Sequence, residues 1–460
     1  MMLPPLAPPL PLSLALPLAL SITTKVALGA TLLGAVAGVV GAFAVLRRRS
    51  LIGDMLAHAA LPGIALAYLI TASRDLLSLS AGALATGLLG VLVVVAVCRW
   101  TRTREDAAMG LVLSTFFGAG IVLLTVIQSR PDGSQAGLDS YLFGEIATLR
   151  NQDLQAIALV AVLLIALVLL LHKELKVMAF DPEFSSAQGW PTFWIDLGMM
   201  AAVAMVTIVG LPVCGVVLMA AMLIFPCAAA RYWANRLGMV LVGSAAVGAA
   251  AGALGVFASS PMVAQIEWLS RIVRGGSGSS PPPGPMIVLA GATIFLASLL
   301  FAPRRGAVAR AWRQLRLRID IVRDHVLRLL FEMSESRLPQ RPEIQSDRLT
   351  EQMTAGSATL NWVLRRMTLS GLIRRHAEVI QLTPAGLSAA AKVTRIHRLW
   401  EQFLISYADI AADHVHRAAD DIEHLLPEAM IDQLEEQLAS EGRLPRGEDE
   451  LVPSSPHEIN

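Results

Sequence analysis

The sequence predicts an all-α polytopic membrane domain of about nine transmembrane helices, followed by a cytoplasmic winged helix-turn-helix and a further helical region. Hydrophobic residues make up 55% of the 460 positions and charged residues 16%, which lies outside the composition of ordinary soluble domains. The charges are unevenly placed, because the last 157 residues carry 21 of the 37 Lys and Arg and 23 of the 36 Asp and Glu. A hydrophilic tail therefore follows an apolar domain.

The membrane domain is predicted from apolar stretches that are long enough to cross a bilayer. A span needs about 20 mostly apolar residues to cross roughly 30 Å of hydrocarbon. Because most of the stretches are rich in Gly and Ala as well as Leu and Val, we expect them to pack closely in one bundle. Nine stretches qualify, of which the second and seventh are the shortest: 24–46, 54–71, 80–98, 107–127, 154–172, 192–211, 213–230, 236–257 and 285–303.

Lys and Arg residues indicate the orientation of the spans, because they are retained on the cytoplasmic side of short loops. Each odd-numbered span is followed by such residues, which predicts an external amino terminus and a cytoplasmic tail. The apolar, proline-rich residues 1–23 are then an interfacial segment before the first span. The basic residues are Arg47, Arg48, Arg49, Arg99, Arg102, Arg104, Lys173, Lys176, Arg231, Arg236, Arg304 and Arg305.

Cysteine content and net charge exclude two classes of protein. The three cysteines, Cys98, Cys214 and Cys227, all lie in the apolar part, which rules out a disulfide scaffold. A formal net charge of +1 argues against a globally basic nucleic-acid-binding protein. The sequence also contains no nucleophile–base pattern that would predict catalytic residues.

The second span carries an acidic residue and a histidine at its start. Asp54 and His58 are four positions apart, so a helix places them one turn apart on one face. A carboxylate oxygen and an imidazole nitrogen can then bind one divalent cation, and ionisable residues inside a span indicate function because their burial is unfavourable. The alternative, favoured by spacing alone, is an Asp–His hydrogen bond at a helix start with Asp54 as cap.

This segment belongs to a set of runs that resembles a known family. The runs are 51–63, 138–144, 173–176, 180–184 and 283–289. They are similar to the permease subunits of bacterial ATP-driven importers for zinc, manganese and iron, and the resemblance extends over about residues 24–303. It implies that Asp54 and His58 are the metal-handling pair of the translocation path, which outweighs the alternative given by spacing alone.

The resemblance also implies several partners. The sequence contains no Gly-x-x-x-x-Gly-Lys-Ser/Thr motif, so the chain itself is expected to bind no nucleotide and ATP hydrolysis to take place on a separate ATPase subunit. Asp181, Glu183 and Gly189 lie in the segment that would dock this ATPase, and the compatible alternative is a helix cap with Pro182 in the first turn. The other implied partners are an extracytoplasmic metal-binding protein and a second permease subunit, which is identical or homologous.

The tail is predicted to form a winged helix-turn-helix. A long basic helix over 306–335 is predicted to continue the last span, and Pro339 and Pro342 end it. Helices at about 346–354 and 357–369 and a short β-wing follow. The second of these helices would read DNA in a free repressor, although we favour a solvated or partner-facing surface because the domain is tethered to the membrane. Its candidate residues are Thr359, Asn361, Arg365 and Arg366.

Metal-binding residue types recur on the two helices predicted next, at 387–403 and 412–426. The first carries His397 and Glu401, four positions apart. The second places a further set on one helical face: His416, Asp420, Glu423 and His424. Several N and O donors converging in this way suit a divalent cation. The spacing is equally compatible with a solvated, salt-bridged acidic face.

These residues lie in a segment that resembles a second family. Residues 324–438 are similar to the metal-dependent repressors of the diphtheria toxin repressor and manganese repressor class, with the runs 382–386, 397–401 and 422–424 as the matching motifs. The resemblance implies one metal group of His397, Glu401 and His416. It implies a second group of Asp420, Glu423, His424 and His325.

The ligand set of the second group bears on the choice of metal. Asp420 supplies a carboxylate where iron-type members have a thiol. The all-N/O set therefore favours Mn²⁺ or Fe²⁺, with Zn²⁺ possible. The family's third, barrel-like domain has no counterpart here, so the first group could lack ligands. His414 lies two residues before His416 and is a further candidate.

Together these features predict an inner-membrane permease subunit of a divalent-metal importer with a cytoplasmic metal sensor that regulates transport. One alternative is a membrane-tethered metal-dependent transcription regulator, and another is a tail that serves only for dimerisation. The predicted segments are an interfacial segment 1–23, the permease domain 24–303, a linking helix 304–335, the winged helix-turn-helix 336–390, the metal-binding and dimerisation region 391–440 and a disordered tail 441–460.

Overall fold

A computed structural model of the chain describes residues 22–72, 76–129, 149–259, 283–337, 342–353, 356–376, 378–407, 428–441 and 452. The chain divides into two compact units, Met1–Ala309 and Arg310–Asn460. Each unit is described by itself below.

Nine described helices of the first unit follow the predicted apolar stretches to within a few residues, and two short polar helices follow the fifth stretch. They are α1 Ile22–Leu46, α2 Ile52–Thr71, α3 Leu76–Trp100, α4 Glu105–Gln128, α5 Asn151–Leu170, α6 His172–Phe180, α7 Pro182–Ala187, α8 Thr192–Cys214, α9 Val216–Trp233, α10 Leu237–Ser259 and α11 Pro283–Phe301. The predicted interfacial segment and the run 138–144 lie outside the described residues.

The predicted seventh span corresponds to α9, Val216–Trp233, which has 18 residues. Eight further helices within the described ranges are long and apolar enough to cross a membrane. A single residue with positive φ, Gly215, separates α8 from α9, and this conformation is readily accessible only to glycine.

Glycine contacts explain how closely the helices pack. A Cβ atom added to Gly248 on α10 would lie 2.0 Å from the carbonyl oxygen of Gly34 on α1, and one added to Gly34 would lie 2.2 Å from that of Gly248. Gly63 on α2 and Gly82 on α3 show the same reciprocal approach, at 2.1 and 2.4 Å. Small residues thus allow the backbones to touch, as in other membrane bundles.

The second unit has the helix and strand order of a winged helix-turn-helix. Its elements are α12 Ala307–Glu335, which begins just before the unit boundary, β1 Ile344–Gln345, α13 Ser346–Gln352, α14 Ser357–Leu369, β2 Ile373–His376, β3 Val379–Leu382, α15 Pro384–Tyr407 and α16 Glu428–Ser440. The three strands form an antiparallel sheet in the order β1-β3-β2. The predicted helix over 412–426 lies outside the described residues.

The passage from the wing into α15 is fixed by the Thr-Pro-Ala-Gly sequence. The amide of Gly386 donates to the Thr383 hydroxyl over 3.0 Å, which is an N-cap with Pro384 in the first helical position. A Cβ atom on Gly386 would lie 1.8 Å from the carbonyl oxygen of Leu372. Only glycine therefore allows α15 to pass this close to the strand.

One expectation about the tail needs correction. The helix over 306–335 was expected to continue the last span, but α11 ends at Phe301 and a turn over 302–306 separates it from α12. Pro303 and Gly306 account for this break, because proline cannot continue a helix and glycine favours its end. Most of the predicted disordered tail, 441–460, lies outside the described residues; Val452, which is described, is 5% exposed and packs in the core of the winged helix.

Candidate functional site

The first candidate site is the Asp54–His58 pair on α2. The helix begins at Ile52, so Asp54 lies in its first turn and His58 one turn later. The Nε2 atom of His58 lies 3.4 Å from the Oδ1 atom of Asp54. Two donors that each bind one ion at about 2 Å can lie about 3 to 4 Å apart. The structure thus brings together the predicted pair at a separation that one divalent cation can bridge.

The surroundings of His58 leave polar atoms available. Its Nδ1 atom is buried and forms no hydrogen bond within the described residues. The ring packs edge-on against Phe117 of α4, with centroids 4.9 Å apart. Pro62 lies inside α2, and because proline has no amide hydrogen the His58 carbonyl loses its usual helical donor. Imidazole and carboxylate groups therefore meet at one point of the bundle.

The second feature is the docking segment, residues 181–189. Asp181 caps α7, since its Oδ1 atom accepts from the Phe184 amide over 2.9 Å, and Pro182 occupies the first turn. The compatible structural alternative raised by the sequence is therefore present. Glu183 is exposed, Gly189 has a φ of +74°, and the Phe184 side chain is 50% exposed. An acidic and aromatic surface at a turn is open to a partner.

A third feature, which the sequence analysis missed, is an ion-pair cluster that we name the arginine clamp: Arg47, Arg49, Glu105 and Asp196. Arg49 donates to both Glu105 oxygens over 2.7 and 2.5 Å and from Nη1 to both Asp196 oxygens over 2.7 Å. Arg47 also pairs with Asp196. The clamp joins the loop between α1 and α2 to the first turn of α4 and to Asp196 near the start of α8. These three ends therefore lie at one end of the bundle.

The electrostatics of the clamp keep Arg49 charged. Burial lowers the pKa of its guanidinium, but the hydrogen bonds to Glu105 and Asp196 outweigh burial, so the pKa lies above its ordinary value. The pKa of Arg47 is lowered, mainly by burial. The sequence signal for the clamp was present in the basic run 47–49, which was used only to predict orientation.

The tail contains the fourth feature, around His397 and Glu401 on α15. His397 Nε2 lies 2.9 Å from Glu401 Oε1, and both side chains are 1% exposed. Arg328 of α12 reaches the same point, with Nη1 2.7 Å from His397 Nδ1. A coherent hydrogen-bond pattern results if Nδ1 accepts from Arg328 and Nε2–H donates to Glu401. The described part thus has two suitable donors for a metal, with a guanidinium beside them.

Of the other predicted sensor residues, only His325 lies within the described ranges. His416, Asp420, Glu423 and His424, like His414, lie outside the described residues. His325 is half-buried on α12, one turn before Arg328. Among the residues that the structure describes, no group of three or more His, Cys, Asp or Glu is arranged to hold a metal.

The predicted DNA-reading residues all lie on the exposed face of α14. Thr359, Asn361, Arg365 and Arg366 are exposed. Arg375 of the wing donates to Asn361 over 3.4 Å, and the Arg366 guanidinium lies 5.4 Å from the ring centre of Trp362. The structure is compatible with both a nucleic-acid surface and a solvated or partner-facing one.

Comparison with known families decides the class of the first unit. The sequence profile of the ABC 3 transport family matches residues 19–302, more than half of the chain. The chain belongs to the ABC 3 transport family. It is therefore a multi-pass membrane permease subunit rather than an enzyme, and the first resemblance read from the sequence is confirmed.

Individual relatives agree with this assignment. The chain is 39% identical over 310 residues to the manganese transport system membrane protein MntC of Bacillus subtilis (strain 168), covering 67% of this chain and 68% of that protein. It is 38% identical over 293 residues to the zinc transport system membrane protein TroC of Treponema pallidum (strain Nichols), covering 64% and 93%. The solved structure "PsaBC from Streptococcus pneumoniae in complex with Fab" matches with 29% identity and a TM-score of 0.53 over 63% of this chain and 94% of that one.

The tail matches a second family. The profile of the iron dependent repressor metal-binding and dimerisation domain covers residues 383–451, which confirms the second resemblance. A probable metal transport system membrane protein of Chlamydia trachomatis is 28% identical over 423 residues, covering 89% of this chain and 92% of that protein. An alignment of this length includes most of the tail as well as the permease part, so the fusion of the two is shared.

Proposed function

We propose that this chain is the permease subunit of an ATP-driven importer for divalent metal ions, with Mn²⁺ or Fe²⁺ favoured and Zn²⁺ possible. The observation that carries the proposal is the Asp54–His58 pair, whose facing oxygen and nitrogen atoms are 3.4 Å apart inside a bundle of apolar helices. Hard oxygen and imidazole ligands suit these ions. The named substrates of the two relatives, manganese and zinc, support the same class of ion.

The ion would pass the pair without being held permanently. Asp54 offers a negative charge and His58 a neutral imidazole, and the single carboxylate keeps the site weak enough to release the ion. The metal is the cargo, so these residues bind and release it and carry out no bond chemistry.

The partners follow from the transporter class. A separate ATPase subunit would dock on residues 181–189, where Asp181 fixes the helix start and Glu183 and Phe184 face outward. An extracytoplasmic binding protein would deliver the ion, and a second permease subunit, identical or homologous, would complete the path. The membrane is the bacterial inner membrane, with the amino terminus outside and the tail in the cytoplasm.

We assign the tail to metal sensing, over the predicted regions 336–390 and 391–440. His397 and Glu401 fit as part of a site because they present N and O donors one turn apart in a buried position. His416, Asp420, Glu423, His424 and His325 would supply the rest. An ion bound here can bias transport only if it binds the resting state more tightly than the transporting state.

Isosteric variants of the pair on α2 test the transport proposal. We expect Asp54→Asn and His58→Gln each to lower the initial rate of radioactive Mn²⁺ uptake by at least about tenfold, since losing even an outer-shell partner of a metal ligand costs about 10–100-fold. The measurement is uptake in metal-starved cells at equal protein abundance. Asp106→Asn is the matched control, because this carboxylate is exposed and forms no ion pair within the described residues. Uptake at the parent rate in both variants would contradict the proposal.

A second candidate function rests on the exposed face of α14. Thr359, Asn361, Arg365 and Arg366 point outward on a winged helix, the fold position that reads DNA in repressors. This candidate is a membrane-tethered, metal-dependent transcription regulator. Footprinting of promoter DNA with the detergent-solubilised chain, with and without Mn²⁺, distinguishes it, because only this candidate expects metal-dependent protection.

A further inference from the structure

The arginine clamp links three separate segments of the permease through one side chain. The Arg49 guanidinium bonds to Glu105 in the first turn of α4 and to Asp196 near the start of α8. Its three nitrogen atoms hold the two carboxylates in one fixed planar geometry, which the single nitrogen of a lysine does not provide. The clamp is therefore a joint between elements and does more than neutralise a surface charge.

The joint is charge-balanced and buried on the Asp196 side. Arg49 is only 8% exposed, and the Asp196 and Arg47 side chains are 19% and 14% exposed, whereas the Glu105 side chain is 47% exposed. Two guanidinium groups face two carboxylates, so no net charge remains in the cluster. Removal of one partner would leave a buried charge uncompensated, which is strongly unfavourable. Segments joined in this way must move together or break the joint.

The position of the clamp along the chain suggests what movement it transmits. On one side, Asp196 follows Gly189, the end of the docking segment, by seven residues. On the other side, Arg49 precedes Asp54 by five residues, and its carbonyl accepts from the Ile52 amide at the start of α2 over 3.2 Å. Helix α8 also packs directly against α2. The docking segment is thus linked to the metal pair by the short chain from Gly189 to Asp196, the Asp196–Arg49 ion pair and the short chain from Arg49 to Asp54.

We propose that Arg49 is a positioning residue that couples movement of the docking segment to the start of α2 and so to the metal pair. This proposal rests on the proposed function, because it requires an ATPase acting on residues 181–189. A shift of the start of α8 would move Asp196, and through Arg49 it would displace the helix start that carries Asp54. The carboxylate of Glu105 anchors the other side of the guanidinium to α4.

The test separates coupling from assembly. The full-length permease with its ATPase subunit is reconstituted in liposomes, and both Mn²⁺ accumulation and ATP hydrolysis are measured with the binding protein present. We expect Arg49→Gln and Asp196→Asn to lower the Mn²⁺ accumulated per ATP hydrolysed at least fivefold, at unchanged yield of the complex. Arg49→Lys keeps the charge but cannot span both carboxylates, so it should recover only part of the ratio.

Matched controls lie next to the clamp in the sequence. Arg48 and Asp106 are exposed neighbours of Arg49 and Glu105, and we expect Arg48→Gln and Asp106→Asn to keep the parent ratio. A purely structural role predicts instead that uptake and hydrolysis fall in proportion, and that result would overturn the proposal, as would an unchanged ratio. Should Arg49→Gln not assemble, Glu105→Gln is judged by the same ratio. A parent complex that accumulates no metal contradicts the proposed function rather than the clamp.

Discussion

At the scale of single residues, Arg328 is the most informative side chain of the tail. It brings a permanent positive charge to the two residues expected to bind a cation, His397 and Glu401. Within a buried site, a guanidinium repels an incoming divalent ion and occupies the lone pair of one imidazole nitrogen. We therefore expect Arg328 to weaken metal binding at this point while stabilising the metal-free fold.

Replacing this arginine gives two opposite effects that can be measured together. Arg328→Met should lower the stability of the metal-free protein by about 1 to 3 kcal/mol, because the buried His397 imidazole loses its hydrogen-bond donor. The same change should tighten Mn²⁺ binding by about tenfold, or about 1.4 kcal/mol. Thermal unfolding of the purified full chain across a Mn²⁺ titration measures both, with Arg374→Met at an exposed wing position as control. Equal metal dependence in variant and parent would contradict this role.

The residue scale also shows what a sequence can and cannot predict about the sites. The Asp54–His58 and His397–Glu401 pairs were predicted because four-residue spacing on a helix is a local geometric fact. Arg328 and His397 are 69 positions apart, and Arg49 lies 56 and 147 positions from Glu105 and Asp196. Such contacts depend on how elements pack, so periodicity carries no signal for them.

At the scale of elements, helix positions were predicted well where apolarity alone sets them. The bounds of the nine helices that match predicted spans follow composition and length because a span must be apolar over its whole length. The continuity of α11 and α12 was predicted wrongly. The residues 302–306 contain the breaking signals Pro303 and Gly306, and the resumed helical pattern after them obscured the turn. A coupling between the tail and the permease therefore cannot rest on one continuous helix.

Glycine contacts between helices allow an element-scale prediction with a control on the same helix. Gly248→Ala on α10 would place a Cβ atom against the Gly34 backbone, 2.0 Å from its oxygen, whereas nothing lies within 4 Å of a Cβ at Gly238. We expect Gly248→Ala to destabilise the bundle by about 1 to 3 kcal/mol through overpacking. Gly238→Ala should have no destabilising effect. Thermal unfolding in detergent compares them, and equal midpoints would contradict the close approach of α1 and α10.

At the scale of the whole molecule, a transporter and a metal-dependent repressor domain share one chain. The ion that one part would transport belongs to the class that the other part would bind, which is the arrangement expected of feedback. Feedback requires two states of the permease and an ion that distinguishes them by affinity. Because the helix connecting the two parts is broken at 302–306, the communication would depend on how the tail docks or dimerises once its metal is bound.

Feedback predicts a difference between metal-replete and metal-starved cells. In replete cells, the double variant His397→Ala, Glu401→Ala and a chain lacking residues 306–460 should both take up radioactive Mn²⁺ faster than the parent, because neither can stabilise the resting state. In starved cells all three should transport alike, since the parent sensor is then empty. Arg374→Met, which leaves the sensor residues intact, should behave as the parent in both conditions. If the two sensor-deficient chains remain as strongly inhibited as the parent in replete cells, the tail has no feedback role, and dimerisation or DNA binding becomes the explanation for its presence.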